Sequence, residues 1–114
     1  MKHSMRLQEK PFQMIKSGVK TIELRLYDEK RQAIHKGDEI VFTCTKDGQT
    51  LRCAVVDMHV FNSFAELYQA LPLLKCGYTA NDIENASPAD MGQYYSTEEQ
   101  KKYGVVGIEL QLLS

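Results

Sequence analysis

The sequence predicts an α+β fold, in which short helices flank a curved, mostly antiparallel sheet or small mixed barrel. Three observations lead to this. The candidate strands are mostly short, they do not alternate regularly with helices, and two of them flank an Asp-Gly pair typical of a hairpin turn. With 114 residues the chain can bury one core, so we expect a single domain over 1–114.

The beginning of the chain predicts a strand, a helix and a second strand. Residues 3–7 form a short candidate strand, and Pro11 suits the first turn of a helix over 10–17 that Gly18 ends. The strand over 20–26 follows directly.

This second strand has two different faces. Alternation places its apolar residues on one face and its polar residues on the other: Ile22, Leu24 and Leu26 against Thr21, Glu23 and Arg25. The apolar face belongs in a core. The polar face is either an ordinary solvated surface or the floor of a polar cleft.

The middle of the chain predicts a hairpin. Residues 28–35 are polar and indicate a turn or a single helical turn, and Gly37-Asp38 indicates a tight turn. Strands over 39–45 and 51–60 then flank Asp47-Gly48. If that pair is a two-residue loop, Lys46 faces Gln49, Cys44 faces Leu51 and Phe42 faces Cys53.

In that register Cys44 and Cys53 are diagonal neighbours, too far apart for an unstrained disulfide. We therefore expect all three cysteines of the chain to be buried, reduced thiols.

The second half of the chain predicts short helices and a final strand. Ser63 opens a capping box for a helix that ends near Pro72, and Ser96 opens another for a helix to about Lys102. Residues 72–90 between them are irregular, with signals for short helices. Apolar residues over 104–113 predict the last strand.

Charge is unevenly distributed along the chain. Residues 1–36 hold nine Lys and Arg against four Asp and Glu, whereas residues 37–114 hold five against eleven. The basic part favours an anionic partner such as a phosphate backbone or a nucleotide. Chance scatter on a solvated surface is an equally good explanation.

No signal peptide and no apolar run of about 20 residues is present, so we expect a cytoplasmic protein without a membrane partner. Glycine-rich phosphate loops, metal-ligand spacings and nucleophile elbows are also absent from the sequence. We expect no cofactor and no metal.

Two blocks of sequence resemble the activating signal cointegrator homology (ASCH) domain, and most closely its small stand-alone prokaryotic members. The first block runs from Ile15 to Arg31 and continues in Gly37-Asp38-Glu39-Ile40-Val41-Phe42, and the second runs from Tyr95 to Val105. The family pattern I-x-x-G-x-K-t-x-E-x-R, then G-D-x-I-x-F, matches the first block. The resemblance implies a PUA-like barrel beside a cleft, and a role linked to RNA.

On this basis a basic cleft lined by Lys20, Glu23 and Arg25 is expected to bind RNA, a nucleotide or a nucleoside, without DNA specificity. The candidate ligand-binding residues are Lys20, Thr21, Glu23, Arg25, Tyr27, Arg31, Tyr94 and Tyr95. The cations would meet phosphate or a base edge, and the tyrosines would stack on an unpaired base. In the structural alternative, Glu23 and Arg25 form an exposed ion pair and the tyrosines serve packing.

Catalysis is left open. In relatives that hydrolyse the amide of acylated cytidine, the lysine is followed three residues later by threonine as proposed nucleophile. Here Lys20 matches the lysine, but Glu23 occupies the threonine position. Lys20 as a base, with Glu23 orienting a water, would be a different mechanism. In a metal-dependent ribonuclease, Glu23 would share a metal with one of three loop carboxylates, those of Asp82, Glu84 and Asp90.

Overall fold

Short alternating segments build a five-stranded sheet that curls into a half-barrel, as seen in a computed structural model that describes residues 1–114. The strands are β1 (Lys2–Leu7), β2 (Ile22–Leu26), β3 (Glu39–Cys44), β4 (Thr50–Phe61) and β5 (Val105–Leu112). The helices are α1 (Glu9–Lys16), α2 (Glu29–Gln32), α3 (Phe64–Ala70) and α4 (Thr97–Tyr103), with three 3-10 turns at Leu73–Lys75, Ile83–Asn85 and Pro88–Gln93. The predicted α+β, PUA-like small barrel with flanking short helices is confirmed.

The strand order is β1-β3-β4-β5-β2, so β1 and β2 lie at opposite edges of the sheet. β1 pairs with β3 in parallel, and every other pair is antiparallel. The sheet curls so far that its two edge strands come into contact. Arg25 Nη2 on β2 donates a 2.7 Å hydrogen bond to the carbonyl of Arg6 on β1. This bond crosses the open seam of the barrel.

The predicted hairpin register is wrong by two residues. Phe42 lies opposite Leu51, and Ile40 opposite Cys53, instead of Phe42 opposite Cys53. Cys44 does not face Leu51 but lies at the end of the strand, where its N–H donates to the Gln49 carbonyl at 2.8 Å.

The cause is the length of the turn, which covers residues 45–48 instead of two residues. Asp47 accepts from the Gln49 N–H at 3.1 Å, which holds the Asp-Gly pair at the end of a longer loop. Gly48 supplies the positive φ of +76° there. A shift of two keeps each side chain on its predicted face, so Cys44 and Cys53 remain buried and free, like Cys76.

Two apolar clusters form the core. One contains 14 buried residues inside the curl of the sheet, among them Phe12 and Phe42. The other contains eight, and it joins β2 and β5 to α3 and to the irregular segment 71–95, in which Cys76 and Met91 are its buried anchors. This second cluster fixes the segment 71–95 beside β2.

Local capping signals predict the short helices correctly. Ser63 accepts from the Glu66 N–H at the start of α3, and Ser96 forms a capping box with Glu99 at the start of α4. Ser87 caps the 3-10 turn that begins at Pro88. None of the helices has the length and apolar character needed to cross a membrane.

Candidate functional site

A cleft of about 470 Å³ lies between β2, the β1–α1 junction and the segment 76–95. Its volume is in the range of small-ligand sites. Five of the predicted ligand-binding residues line it: Lys20, Glu23, Arg25, Tyr94 and Tyr95. The polar face of β2 is therefore turned to a cleft and not to an open surface.

Glu23 holds two cations at the floor of this cleft. Its Oε1 lies 2.8 Å from Lys20 Nζ, and its Oε2 accepts from Arg25 Nε at 2.7 Å. Glu23 is 4% exposed and Lys20 is 9% exposed. The predicted alternative of an exposed Glu23–Arg25 ion pair is therefore wrong, since the carboxylate is buried and shared by two cations.

Lys20, Glu23 and Arg25 form a charged triad, in which charge pairing affects the pKa of Glu23 more than desolvation does. Burial would raise the pKa of Glu23, but the charges of Lys20 and Arg25 and their hydrogen bonds hold that pKa below its usual range. One carboxylate and two cations leave a net charge of about +1 at the floor. Both cations also keep N–H groups that these contacts do not use.

The cleft as a whole carries mixed charge. Arg6 and Lys10 also line it, both exposed and neither in an ion pair. Asp82 and Asp90 line it too. The free cations at the rim are additions to the predicted set, and the excess of basic residues over 1–36 was the signal that pointed to them.

Four tyrosines surround the cleft, of which the sequence predicted two. Tyr94 is 56% exposed and is free to contact a ligand. Tyr95 packs almost parallel to Phe64, with ring centroids 6.1 Å apart, so it also serves the core. Tyr68 and Tyr78 line the cleft as well, and no local pattern distinguishes them in the sequence.

Three predicted ligand-binding residues lie outside the lining of the cleft. Thr21 precedes β2, and its backbone bonds to Lys75 and Leu110. Tyr27 packs against the larger apolar cluster. Arg31 pairs with the Asp28 that caps α2, at 3.3 Å.

The predicted catalytic pair, Lys20 and Glu23, lies in the cleft lining with Lys20 Nζ 2.8 Å from Glu23 Oε1. Thr21, the hydroxyl nearest to the missing threonine position, is not in the cleft lining. Burial raises the pKa of the Cys76 thiol to about 11, so this cleft residue is protonated at neutral pH and is not an active nucleophile. For the nuclease, no group of three His, Cys, Asp or Glu residues is placed to hold a metal ion, and Glu84 does not line the cleft.

Comparison with known proteins agrees with the fold and with the two sequence blocks. The sequence model of the ASCH domain matches residues 5–114. The crystal structure of hypothetical protein PH0355 is 38% identical, has a TM-score of 0.82, and covers 99% of this chain and 100% of that chain.

The solution NMR structure of protein PF0455 from Pyrococcus furiosus is also 38% identical, with a TM-score of 0.76, and covers 100% of this chain and 99% of that chain. No curated protein matches this chain significantly. With a family match across almost its whole length and two full-length structural relatives, the chain belongs to the ASCH domain family.

Proposed function

We propose that this protein binds RNA or a nucleotide by taking a base into the cleft over Lys20, Glu23 and Arg25. The buried triad at the cleft floor is the observation that carries the proposal. The ASCH domain has a fold of the kind found in RNA-binding proteins. This resemblance supports the proposal by analogy.

A purely structural role explains the triad poorly. Replacing a buried ion pair by well-packed apolar residues is often neutral or stabilising, so such a pair is an inefficient way to hold a fold together. Here the pair also lines a cleft, where its desolvated charges can act on a ligand. Buried, charge-coupled groups in a cleft are typical of functional sites.

The floor presents hydrogen-bond donors. Lys20 has an ammonium group and Arg25 a guanidinium group, and neither group can accept a hydrogen bond. Ring nitrogens and carbonyl oxygens of a base are acceptors, and they fit the N–H groups that Glu23 leaves free.

The rim provides the contacts for phosphate and for stacking. Arg6 and Lys10 are exposed cations of the cleft lining without a carboxylate partner, so both are available to a backbone phosphate. The exposed ring of Tyr94 offers a face for a base, and such stacking is worth about 1–3 kcal/mol per base.

Arg25→Ala should weaken binding of a short fluorescein-labelled single-stranded RNA about tenfold to a hundredfold, since it removes charge-assisted hydrogen bonds. Fluorescence anisotropy measures the affinity, and circular dichroism checks the fold. Arg52→Ala is the matched control, because Arg52 has the same charge but pairs with Glu39 away from the cleft. Equal affinity of a folded Arg25→Ala and the wild type would overturn the proposal.

A second test avoids the buried triad. In Arg6→Ala/Lys10→Ala, the slope of log affinity against log salt should fall by about 1.4, the value for two lost contacts to single-stranded phosphates. The same anisotropy titration, repeated over a salt series, measures the slope. Lys36→Ala/Lys101→Ala removes two exposed cations outside the cleft and should leave the slope unchanged. Equal slopes for both double variants would contradict the rim contacts.

A further inference from the structure

Tyr68, Tyr78 and Asp90 form a chain of short hydrogen bonds in the cleft. The hydroxyls of Tyr68 and Tyr78 are 2.6 Å apart, and Tyr78 Oη lies 2.6 Å from Asp90 Oδ2. All three residues line the cleft, and the binding contacts described above use none of them.

The direction of this chain is fixed by the carboxylate. Asp90 Oδ2 accepts from the Ser87 backbone N–H at 3.1 Å as well as from Tyr78. The hydrogen bond from Tyr78, together with that from Ser87, holds the pKa of Asp90 below its usual range, so Asp90 is an acceptor only. The single hydroxyl proton of Tyr78 therefore goes to Asp90.

The hydrogen bond between the two tyrosines can therefore have only one direction, from Tyr68 to Tyr78. Because the proton of Tyr78 is already donated, the 2.6 Å bond between the two tyrosines requires the Tyr68 proton. The Tyr68 oxygen then offers only lone pairs to a ligand. A tyrosine hydroxyl that normally both donates and accepts has become an acceptor.

The acceptor chain lines the same cleft as the donors at the floor. Gly77, next to Tyr78, passes directly over Lys20, and a Cβ on it would lie 3.5 Å from Lys20 Cδ and 3.6 Å from Lys20 Nζ. The backbone there has a φ of +114°, which favours glycine. One ligand can therefore meet donors from the floor and acceptors from this chain.

We propose that the cleft selects nucleobases with an exocyclic amino group, an inference that rests on the proposed nucleotide binding. The amino N–H donates to Tyr68, while ring or carbonyl acceptors of the same base accept from Lys20 and Arg25. A base with a carbonyl in place of the amino group faces Tyr68 with acceptor against acceptor. Leaving a polar group unpaired in this way is the strongest form of discrimination available to a binding site.

The test uses two matched pairs of ligands, AMP against IMP and CMP against UMP, measured by isothermal titration calorimetry. Within each pair the amino group is replaced by a carbonyl, and the adjacent ring nitrogen changes from an acceptor to an N–H donor. The wild type should bind the amino member about tenfold or more tightly. Equal affinity within both pairs overturns the selection.

Tyr78→Phe tests the mechanism of that selection. It removes the hydroxyl that takes the Tyr68 proton, so Tyr68 becomes able to donate, and the preference should fall at least about threefold below that of the wild type, through tighter binding of IMP and UMP. Tyr103→Phe removes a hydroxyl from a tyrosine outside the cleft and should keep the wild-type preference. A preference as large in Tyr78→Phe as in the wild type overturns the directional chain.

These outcomes separate the two proposals. If neither the labelled RNA nor any of the four nucleotides binds, the proposed function fails and the selection fails with it. If the RNA binds but none of the four nucleotides does, only the selection is overturned. If all four bind with one affinity, or Tyr78→Phe changes nothing, only the selection is overturned.

Discussion

Glu23→Gln should lower the free energy of unfolding by about 3–5 kcal/mol, the cost of removing one partner from a buried ion pair. The amide has nearly the shape of the carboxylate but carries no charge. Lys20 then stays buried and Arg25 partly buried, both without a counter-charge, and this is the source of the loss. Urea unfolding followed by circular dichroism measures it.

Glu39→Gln is a close control for this result. Glu39 also contacts one arginine and one lysine, Arg52 at 3.1 Å and Lys2 at 3.7 Å, but these two cations lie at the surface. An exposed arrangement of this kind contributes about 1 kcal/mol or less. Similar losses in both variants would show that burial is not the cause.

The stability difference between the wild type and Glu23→Gln should depend on pH. The pKa of Glu23 is lowered on folding, so its stabilising contribution is present above the ordinary carboxyl pKa of 4.5 and is lost as pH falls below it. The stability gap between wild type and Glu23→Gln should therefore narrow in acid. Asp38, whose pKa is lowered to about 2, adds acid sensitivity of the same sign to both proteins and cancels in the difference. A gap independent of pH would contradict the ion pair.

Phe42→Ala should destabilise the protein by about 3–5 kcal/mol, because it leaves a cavity in the centre of the larger apolar cluster. Phe42 is 0% exposed. Urea unfolding should show a lower midpoint with an unchanged m-value, as expected for a change in stability alone.

Val60→Ala provides the comparison, because Val60 is 48% exposed on β4 and should lose no more than about 0.5 kcal/mol. Phe42 does not line the cleft, so the folded Phe42→Ala protein should bind RNA like the wild type. A loss of binding in folded protein would show that the two parts of the core are coupled.

Local sequence signals predicted local structure well. The alternation over 20–26 identified which side chains of β2 face the core, and serines at helix starts identified α3 and α4. These signals work because side-chain direction and capping depend on neighbouring residues only. Hairpin register failed because Asp47-Gly48 fits both a two-residue loop and the end of a longer turn.

The site was predicted at β2 and the residue pair Tyr94-Tyr95, but not elsewhere in the segment 71–95. Glu23 and Arg25 lie on the polar face that the alternation predicted, and the family pattern added Lys20, which lies just before β2. Tyr68, Tyr78 and Asp90 meet through the irregular segment 71–95, whose path depends on tertiary packing and not on local pattern. Tyr27 was misplaced because the strand alternation ends at Leu26.

The position of β2 in the sheet has a consequence for the order of folding. Its only strand neighbour is β5, which is the last strand of the chain, about eighty residues later. On the ribosome, β2 therefore remains without a partner strand until β5 has been made, whereas β1, β3 and β4 can pair earlier. The cleft floor is thus completed only after β5 has been made, so a nascent chain acquires its candidate site only when its sheet is whole.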